Sequence, residues 1–245
     1  FAIPALAQQP PIKIGMSMPL TGGLAGGGKS SLIGIETWRD DINAKGGLLG
    51  RKIEIVVYDD KSSAAESPAI YAKLLDIDKV DLLFAPYATV QTAPLMPMVK
   101  QKGLLLMGNF SYQVNRTVQH DMWFNVAPWG PADSWARGFI ELGEKAGGKT
   151  IAVLAADQEF AQNLIRQAKA VAGEKKINVV YEQSYPPSTV EFSSMIRALK
   201  AAKPDMVFVA SYPPDSVGIM RAINEIGIGS DVKIFGGGMV GLQFT

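Results

Sequence analysis

The chain lacks cysteine altogether and contains a single histidine among its 245 residues. Zinc sites, iron–sulfur clusters, thiol nucleophiles and disulfide frameworks all need residues that are therefore missing. A Ser–His–Asp triad would have to use His120, and the G-x-S-x-G motif that carries the serine of many hydrolases does not occur. The polar neighbours of His120 predict a surface position for it. We expect no catalytic residue, no metal site and no cofactor.

An excess of charge of one sign is also missing, since 24 Lys and Arg residues stand against 23 Asp and Glu residues. Without a basic run, this balance argues against a nucleic-acid partner or an anionic membrane surface. No apolar stretch reaches the roughly 18 residues that a membrane-spanning helix needs. Hydrophobic residues make up 47% of the chain, which is typical of a globular protein.

The first residues resemble the end of a secretory signal. Phe1–Ala7 is apolar and finishes on the small-x-small triplet Ala5-Leu6-Ala7, and polar glutamines follow. We expect export to a periplasm with cleavage near Ala7. A frayed apolar N-terminus is the alternative.

From Ile12 onwards, short apolar runs alternate with stretches of helical periodicity. Leu32, Ile35, Trp38 and Ile42 recur at helical spacing and predict a helix that Gly46-Gly47 ends. Repeated strand–helix alternation predicts an α/β protein with parallel sheets flanked by helices. The nine predicted strands are Ile12–Met18, Ile53–Tyr58, Asp81–Ala85, Leu104–Met107, Met122–Val126, Ile151–Ala155, Asn178–Glu182, Met206–Ala210 and Lys233–Phe235.

Two prolines and a glycine in Ala127–Pro131 predict a crossover between two Rossmann-like lobes. The predicted division is an N-terminal tail (1–9), an N-terminal lobe (10–127), a C-terminal lobe (128–240) and the start of a second crossover (241–245). Ligands of open parallel sheets bind outside the carboxyl ends of the strands, so the loops that follow the strands are the candidate site.

Gly23–Ser30 satisfies the phosphate-binding pattern G-x-x-x-x-G-K-[ST] between a predicted strand and a predicted helix. A P-loop NTPase would place Lys29 on the phosphates and Ser30 on Mg²⁺, with Asp59 as an acidic partner of the ion. However, five glycines among seven residues meet this pattern easily by chance, and ATP is scarce outside the cytoplasm. The pair Asp59-Asp60 could instead cap the next helix. The P-loop enzyme remains an alternative from another functional class.

Three segments carry a resemblance to a known family: Pro19–Gly22, Ile42–Ile53 and Val57–Asp60. With them, the chain resembles the type I periplasmic solute-binding proteins of ABC importers, in the leucine/isoleucine/valine-binding branch, over nearly everything from Ile12 to Leu242. The resemblance implies two lobes that close on a small ligand by hinge motion, a monomer, and delivery of the ligand to the membrane permease of an importer. It also implies a longer chain, so we expect this one to be C-terminally incomplete, with its first lobe lacking a later segment.

The resemblance places ligand-binding residues at the strand ends. After the third strand, Thr89 matches a hydroxyl that helps to hold the ligand carboxylate, next to Tyr87 and Ala88. Asn109, Phe110 and Ser111 match groups after the fourth strand that join it. Hydroxyl and N–H groups bind an anion without Lys or Arg. Ordinary helix N-capping is the alternative for Thr89 and Ser111.

In the second lobe, the resemblance places Phe160 and Tyr212 against the ligand, with a core position as the alternative for each. Amino-acid binders of this branch have an acid at the position of Gly238, where this chain has none. The sequence therefore predicts a small organic acid without an α-amino group, in a pocket that Met239 completes, and favours an aromatic carboxylate. A branched-chain amino acid is the alternative, if Asp157 or a missing segment supplies the ammonium partner.

Overall fold

The computed structural model describes residues 9–126 and 134–236. They fall into two compact units, unit 1 with residues 9–126 and unit 2 with residues 134–236. The strands of unit 1 are β1 (Ile12–Met18), β2 (Ile53–Asp59), β3 (Leu82–Tyr87), β4 (Leu106–Asn109) and β5 (Trp123–Asn125). Its helices are α1 (Ala25–Ala44), α2 (Ser67–Asp76), α3 (Thr89–Thr92), α4 (Met96–Gln101) and α5 (Asn115–Val118), with a 3-10 turn at Ala93–Leu95. Unit 2 contains β6 (Thr150–Ala156), β7 (Asn178–Tyr185), β8 (Met206–Ala210), β9 (Lys233–Gly236), α6 (Ser134–Lys145), α7 (Glu159–Glu174), α8 (Ser193–Ala201) and α9 (Pro213–Ile226).

Each unit is built on one parallel sheet. The strand order is β2-β1-β3-β4-β5 in unit 1 and β7-β6-β8-β9 in unit 2. All pairs are parallel. The central strands β1, β6 and β8 are buried along nearly their whole length, which is why they read as continuous apolar runs rather than alternating ones. The predicted α/β class with parallel sheets is confirmed.

The helical face predicted around Leu32 is largely confirmed. Leu32, Ile35 and Ile42 pack against the β1 core of Ile12, Ile14, Met16, Met18 and Ile53. Trp38 does not belong to this core, and 39% of it is exposed. The 3.6-residue period carries it to the edge of the apolar stripe.

His120 is buried, so its predicted surface position is wrong. Only 5% of the residue is exposed, and its Nε2 lies 2.7 Å from the carbonyl oxygen of Leu104. The His120 backbone N–H donates to Asn115 Oδ1 at 2.7 Å. The turn between α5 and β5 directs the ring inward, and the polar residues next to His120 in the sequence do not indicate such a turn.

Within the described ranges, no three His, Asp or Glu side chains are placed to share a metal ion, and no helix could cross a membrane.

Candidate functional site

The carboxyl ends of β3 and β4 bring six predicted site residues of unit 1 together. We call Tyr87, Ala88, Thr89, Asn109, Phe110 and Ser111 the strand-end cluster. Tyr87 pairs with Asn109 across the two strands, and the Ala88 N–H donates to the Asn109 carbonyl at 3.3 Å. Ala88 has φ 79° and Phe110 has φ 53°, backbone angles that non-glycine residues rarely adopt. Strain of this kind concentrates where proteins bind ligands.

The hydroxyls of the strand-end cluster hold the two loops against each other. Thr89 Oγ1 accepts a hydrogen bond from the Tyr112 backbone N–H at 2.8 Å. The Ser111 and Thr92 hydroxyls lie 2.7 Å apart. Thr89 and Ser111 are each only 1% exposed. No side chain caps α3, so the capping alternative does not describe Thr89.

Asn109 has a buried side-chain donor that is not used. The residue is 5% exposed, and its Oδ1 accepts a hydrogen bond from the Ser31 hydroxyl at 3.1 Å. Its Nδ2 is buried and has no hydrogen-bond partner among the described residues. A buried amide donor without a partner costs about 1–3 kcal/mol. An oxygen acceptor that reached this nitrogen would remove that cost.

The strand-end cluster also contains two aromatic rings. The Tyr87 and Phe110 ring centroids are 5.9 Å apart, and Phe110 is 45% exposed. Burial raises the pKa of the Tyr87 hydroxyl, so it stays protonated and can donate. A Cβ at Gly27 of α1 would lie 2.3 Å from Tyr87 Cζ, so the ring fits only because residue 27 is glycine. The cluster thus combines apolar rings with neutral donors.

The glycine run that matches the phosphate-binding pattern is helical. Helix α1 begins at Ala25, and the Gly28 N–H donates to the Leu24 carbonyl at 3.0 Å. The Ser30 hydroxyl donates to the Gly26 carbonyl at 3.0 Å. A phosphate loop needs these N–H groups outside the helix, pointing at the anion. The P-loop alternative is therefore wrong, and Gly27 and Gly28 allow Tyr87 and Pro19 to pack closely against α1.

Asp59 and Asp60 accept hydrogen bonds from groups within unit 1, and neither caps the next helix. Asp59 accepts hydrogen bonds from the backbone N–H groups of Leu20, Thr21 and Lys61 and from the Thr21 hydroxyl, at 2.7–3.2 Å. Asp60 accepts from the Ser17 hydroxyl and the Ser62 backbone N–H at 3.0 Å each, and from Gln91 Nε2 at 3.3 Å. Helix α2 begins only at Ser67, so the predicted capping role is wrong.

Replacing Gly28 with Ala is expected to lower the free energy of unfolding by about 3 kcal/mol, because the new Cβ would lie 2.1 Å from the Pro19 carbonyl oxygen. Gly34→Ala in the same helix is the matched control, since nothing lies within 4 Å of its Cβ and alanine favours helix. Urea denaturation measures both. Equal losses of stability in the two variants would contradict the packing role of Gly28. Lys29→Ala is expected to leave the free energy of unfolding unchanged.

In unit 2, Phe160 and Tyr212 lie at the carboxyl ends of β6 and β8. Their ring centroids are 5.3 Å apart, and Trp135 packs edge-on against Phe160 at 5.8 Å. Phe160 is 8% exposed and Tyr212 is 9% exposed. They form one aromatic cluster, whose burial also fits the alternative of a core position. Gly238 and Met239 lie outside the described residues.

Two acids at this edge of unit 2 differ in their surroundings. Asp157 follows β6 directly and is exposed. Asp215, which the sequence analysis missed, is 8% exposed in the first turn of α9, and burial raises the pKa of its carboxyl group. It stands three residues after the N-cap residue Tyr212, whose backbone N–H donates to it, but Tyr212 is not the Ser or Thr of a capping box, so no sequence motif marked Asp215. Asp157 is therefore the more accessible of the two.

A family model described as periplasmic binding protein matches residues 11–243. The "Leu/Ile/Val-binding protein homolog 7" of Brucella melitensis is 28% identical over 100% of this chain and 62% of its own length. The chain thus spans about three-fifths of the curated relatives that it matches.

Solved structures share the fold. A branched-chain amino acid transporter substrate-binding protein from Streptococcus pneumoniae, in complex with isoleucine, gives a TM-score of 0.81 at 24% identity, over 92% of this chain and 64% of that one. A solute-binding protein of an ABC transporter from R. palustris, in complex with 4-hydroxybenzoate, gives 0.82 at 19% identity, over 93% and 61%. Proteins of this fold thus bind an amino acid in one case and an aromatic acid in another.

Proposed function

Because the chain belongs to the periplasmic binding proteins, we propose that it is the solute-binding component of an ABC importer, and that it binds a small organic acid without an α-amino group. The observation that carries the ligand class is the buried, unpartnered Asn109 Nδ2 in the strand-end cluster. Export, a permease partner, a monomeric state and the absence of catalysis belong to the same proposal.

A carboxylate is the ligand group that suits this donor. The cluster offers the Asn109 amide and the Tyr87 hydroxyl as neutral donors, and the oxygens of a carboxylate can accept hydrogen bonds from both. Asn109 Nδ2 is buried, so a ligand must displace neighbouring atoms to reach it. The Tyr87 and Phe110 rings supply apolar surface for the rest of the ligand.

The hydrogen bonds of two acids in unit 1 support a ligand without an α-amino group. Asp59 and Asp60, the acids at the carboxyl end of β2, already accept four and three hydrogen bonds within unit 1. The acceptor sites of Asp59 are occupied and Asp60 is fully buried, so neither is placed to pair with a ligand ammonium. An unpaired buried ammonium is costly. We propose that Phe160 and Tyr212 also contact the ligand.

A branched-chain amino acid is the second candidate ligand. Asp157 favours it, because this exposed carboxylate stands at the carboxyl end of β6 and could pair with an ammonium. Relatives named for leucine, isoleucine and valine support it as well.

A thermal-shift panel of aromatic acids and branched-chain amino acids tests the proposal. A ligand at 100 times its Kd adds about 2.7 kcal/mol, which corresponds to a shift of roughly 5–10 °C for a chain of this size. Shifts with 4-hydroxybenzoate or benzoate but not with leucine are expected. A shift with leucine alone would discard the organic acid, and no shift with any member would contradict the proposed ligand classes.

Gly238→Asp is expected to change the ligand preference towards amino acids, because it restores a carboxylate at the position where the family's amino-acid binders have one. Isothermal titration with leucine and with 4-hydroxybenzoate measures the ratio of the two affinities. Gly34→Ala, at an exposed glycine of α1, serves as the control. If the ratio does not move towards leucine, residue 238 does not determine this choice.

A further inference from the structure

Ser31 of α1 is connected to the strand-end cluster by one contact. Its hydroxyl donates to Asn109 Oδ1 at 3.1 Å, across 78 residues of sequence. Neighbouring Ser30 bonds instead to the Gly26 carbonyl, within the helix. These adjacent serines of α1 therefore differ in their hydrogen-bond partners. Ser30 bonds within the helix, and Ser31 bonds to the end of β4.

The contact fixes the side-chain amide of Asn109. The backbone of Asn109 is held by β4 and by the Ala88 N–H, so rotation about its side-chain bonds is the remaining freedom. With Oδ1 engaged by Ser31, the amide plane is set and Nδ2 remains as the donor. An amide that is already oriented loses less entropy when a ligand binds.

We propose that Ser31 is a positioning residue that orients the Asn109 amide, so that Nδ2 donates to the ligand carboxylate and the site prefers carboxylates over neutral amides. This inference rests on the proposed function and deepens it. Ser31 touches Asn109 and acts through it. In the absence of the Ser31 hydroxyl, the amide plane rotates, and a rotated amide directs oxygen as readily as nitrogen at the ligand. A carboxylate is repelled by that oxygen, whereas a neutral carboxamide can donate to it.

The test compares Ser31→Ala with the matched control Ser30→Ala, using 4-hydroxybenzoate and 4-hydroxybenzamide as probes in isothermal titration. Ser31→Ala is expected to weaken 4-hydroxybenzoate binding about tenfold or more, the size of one hydrogen bond to a charged group. Binding of 4-hydroxybenzamide is expected to change much less. Ser30→Ala is expected to leave both affinities unchanged, and Ser31→Thr is expected to restore the preference for the carboxylate.

A double-mutant cycle in the absence of ligand tests the contact itself. Melting temperatures of Ser31→Ala, Asn109→Ala and the double variant are expected to be non-additive, since both changes remove the same hydrogen bond. Additive shifts would overturn the inference. An unchanged ratio of carboxylate to carboxamide affinity in Ser31→Ala, with non-additive melting temperatures, would also overturn it and leave a purely structural contact. If the wild-type protein binds no acid of the panel, the proposed function fails first and the inference falls with it.

Discussion

Replacing Asp60 with Asn is expected to raise the free energy of unfolding at pH 8 by about 2 kcal/mol. Burial, followed by the smaller effect of neighbouring Asp59, raises the pKa of Asp60 from 3.8 to about 6, although Ser17 and Ser62 donate to it and oppose the rise. Two pKa units correspond to roughly 3 kcal/mol, and structural relaxation around a buried charge reduces the penalty. Asparagine avoids it, because its amide can donate to the Ser17 hydroxyl as a protonated carboxyl group does.

The sign of the pH dependence follows from the raised pKa. The folded state holds the Asp60 proton more tightly than the unfolded state does, so the contribution of Asp60 to stability falls as the pH rises from 3.8 to about 6 and stays low above that. The difference in free energy of unfolding between wild type and Asp60→Asn should therefore vanish near pH 4 and reach its full size by pH 7. Urea denaturation across this range measures it.

Asp121→Asn is the matched control for Asp60→Asn, because it removes the same charge from an exposed turn of unit 1. It is expected to change the stability by less than about 0.5 kcal/mol. If Asp60→Asn destabilises the protein at pH 8, the hydrogen bonds of Asp60 outweigh its desolvation and the interpretation is wrong.

The adjacent replacement, Asp59→Ala, is expected to have the opposite effect and to lower the free energy of unfolding at pH 7 by about 3 kcal/mol. Asp59 is desolvated as well, but the Thr21 hydroxyl and the backbone N–H groups of Lys61, Leu20 and Thr21 outweigh this and lower its pKa. Each hydrogen bond to a charged group is worth about 1.5–3 kcal/mol, and bonds that share one carboxylate are not additive. Removal of the Asp59 carboxylate would leave the loop after β1 without its hydrogen bonds to β2.

The lowered pKa gives Asp59 the reverse pH dependence. Its stabilisation is complete above its unfolded-state pKa near 3.8 and is lost as the pH falls through the lower folded-state value. The difference in free energy of unfolding between wild type and Asp59→Ala, which we call the gap, should therefore narrow below pH 4. Thr21→Val, which removes one of the four donors, is expected to lose only part of the effect. A gap that stays constant down to pH 2 would show that the charge of Asp59 contributes nothing.

The opposite pKa shifts of Asp59 and Asp60 show that an acid pair in the sequence does not determine the role of either residue. In the sequence, Asp59-Asp60 is one acid pair that could hold a metal ion or cap a helix. In the fold, β2 ends between them, so Asp59 meets the loop after β1 while Asp60 enters the core beside Ser17 and Gln91. The number of donors each carboxylate finds there, against its burial, decides the sign of its pKa shift.

The sequence by itself determined the class of the fold and the positions of its strands. Parallel strands covered on both faces must be apolar throughout, so runs such as Ile12–Met18 and Met206–Ala210 mark the strands directly. Because ligands of such sheets bind at the carboxyl ends of the strands, the same runs located the candidate loops. The short helices α3 to α5 escaped prediction because segments of four to six residues hold too little periodicity.

Only the tertiary structure decided what the residues at those loops do. Gly27 and Gly28 lie within α1 and leave room for Tyr87 and Pro19, and His120 is buried with its ring against the Leu104 carbonyl. The family resemblance predicted Asn109 as a site residue, but its hydrogen bond from Ser31, 78 residues away, appears only in the fold. Local patterns reflect the burial of whole strands, whereas hydrogen bonds between residues far apart in the chain leave no periodic signal in the sequence.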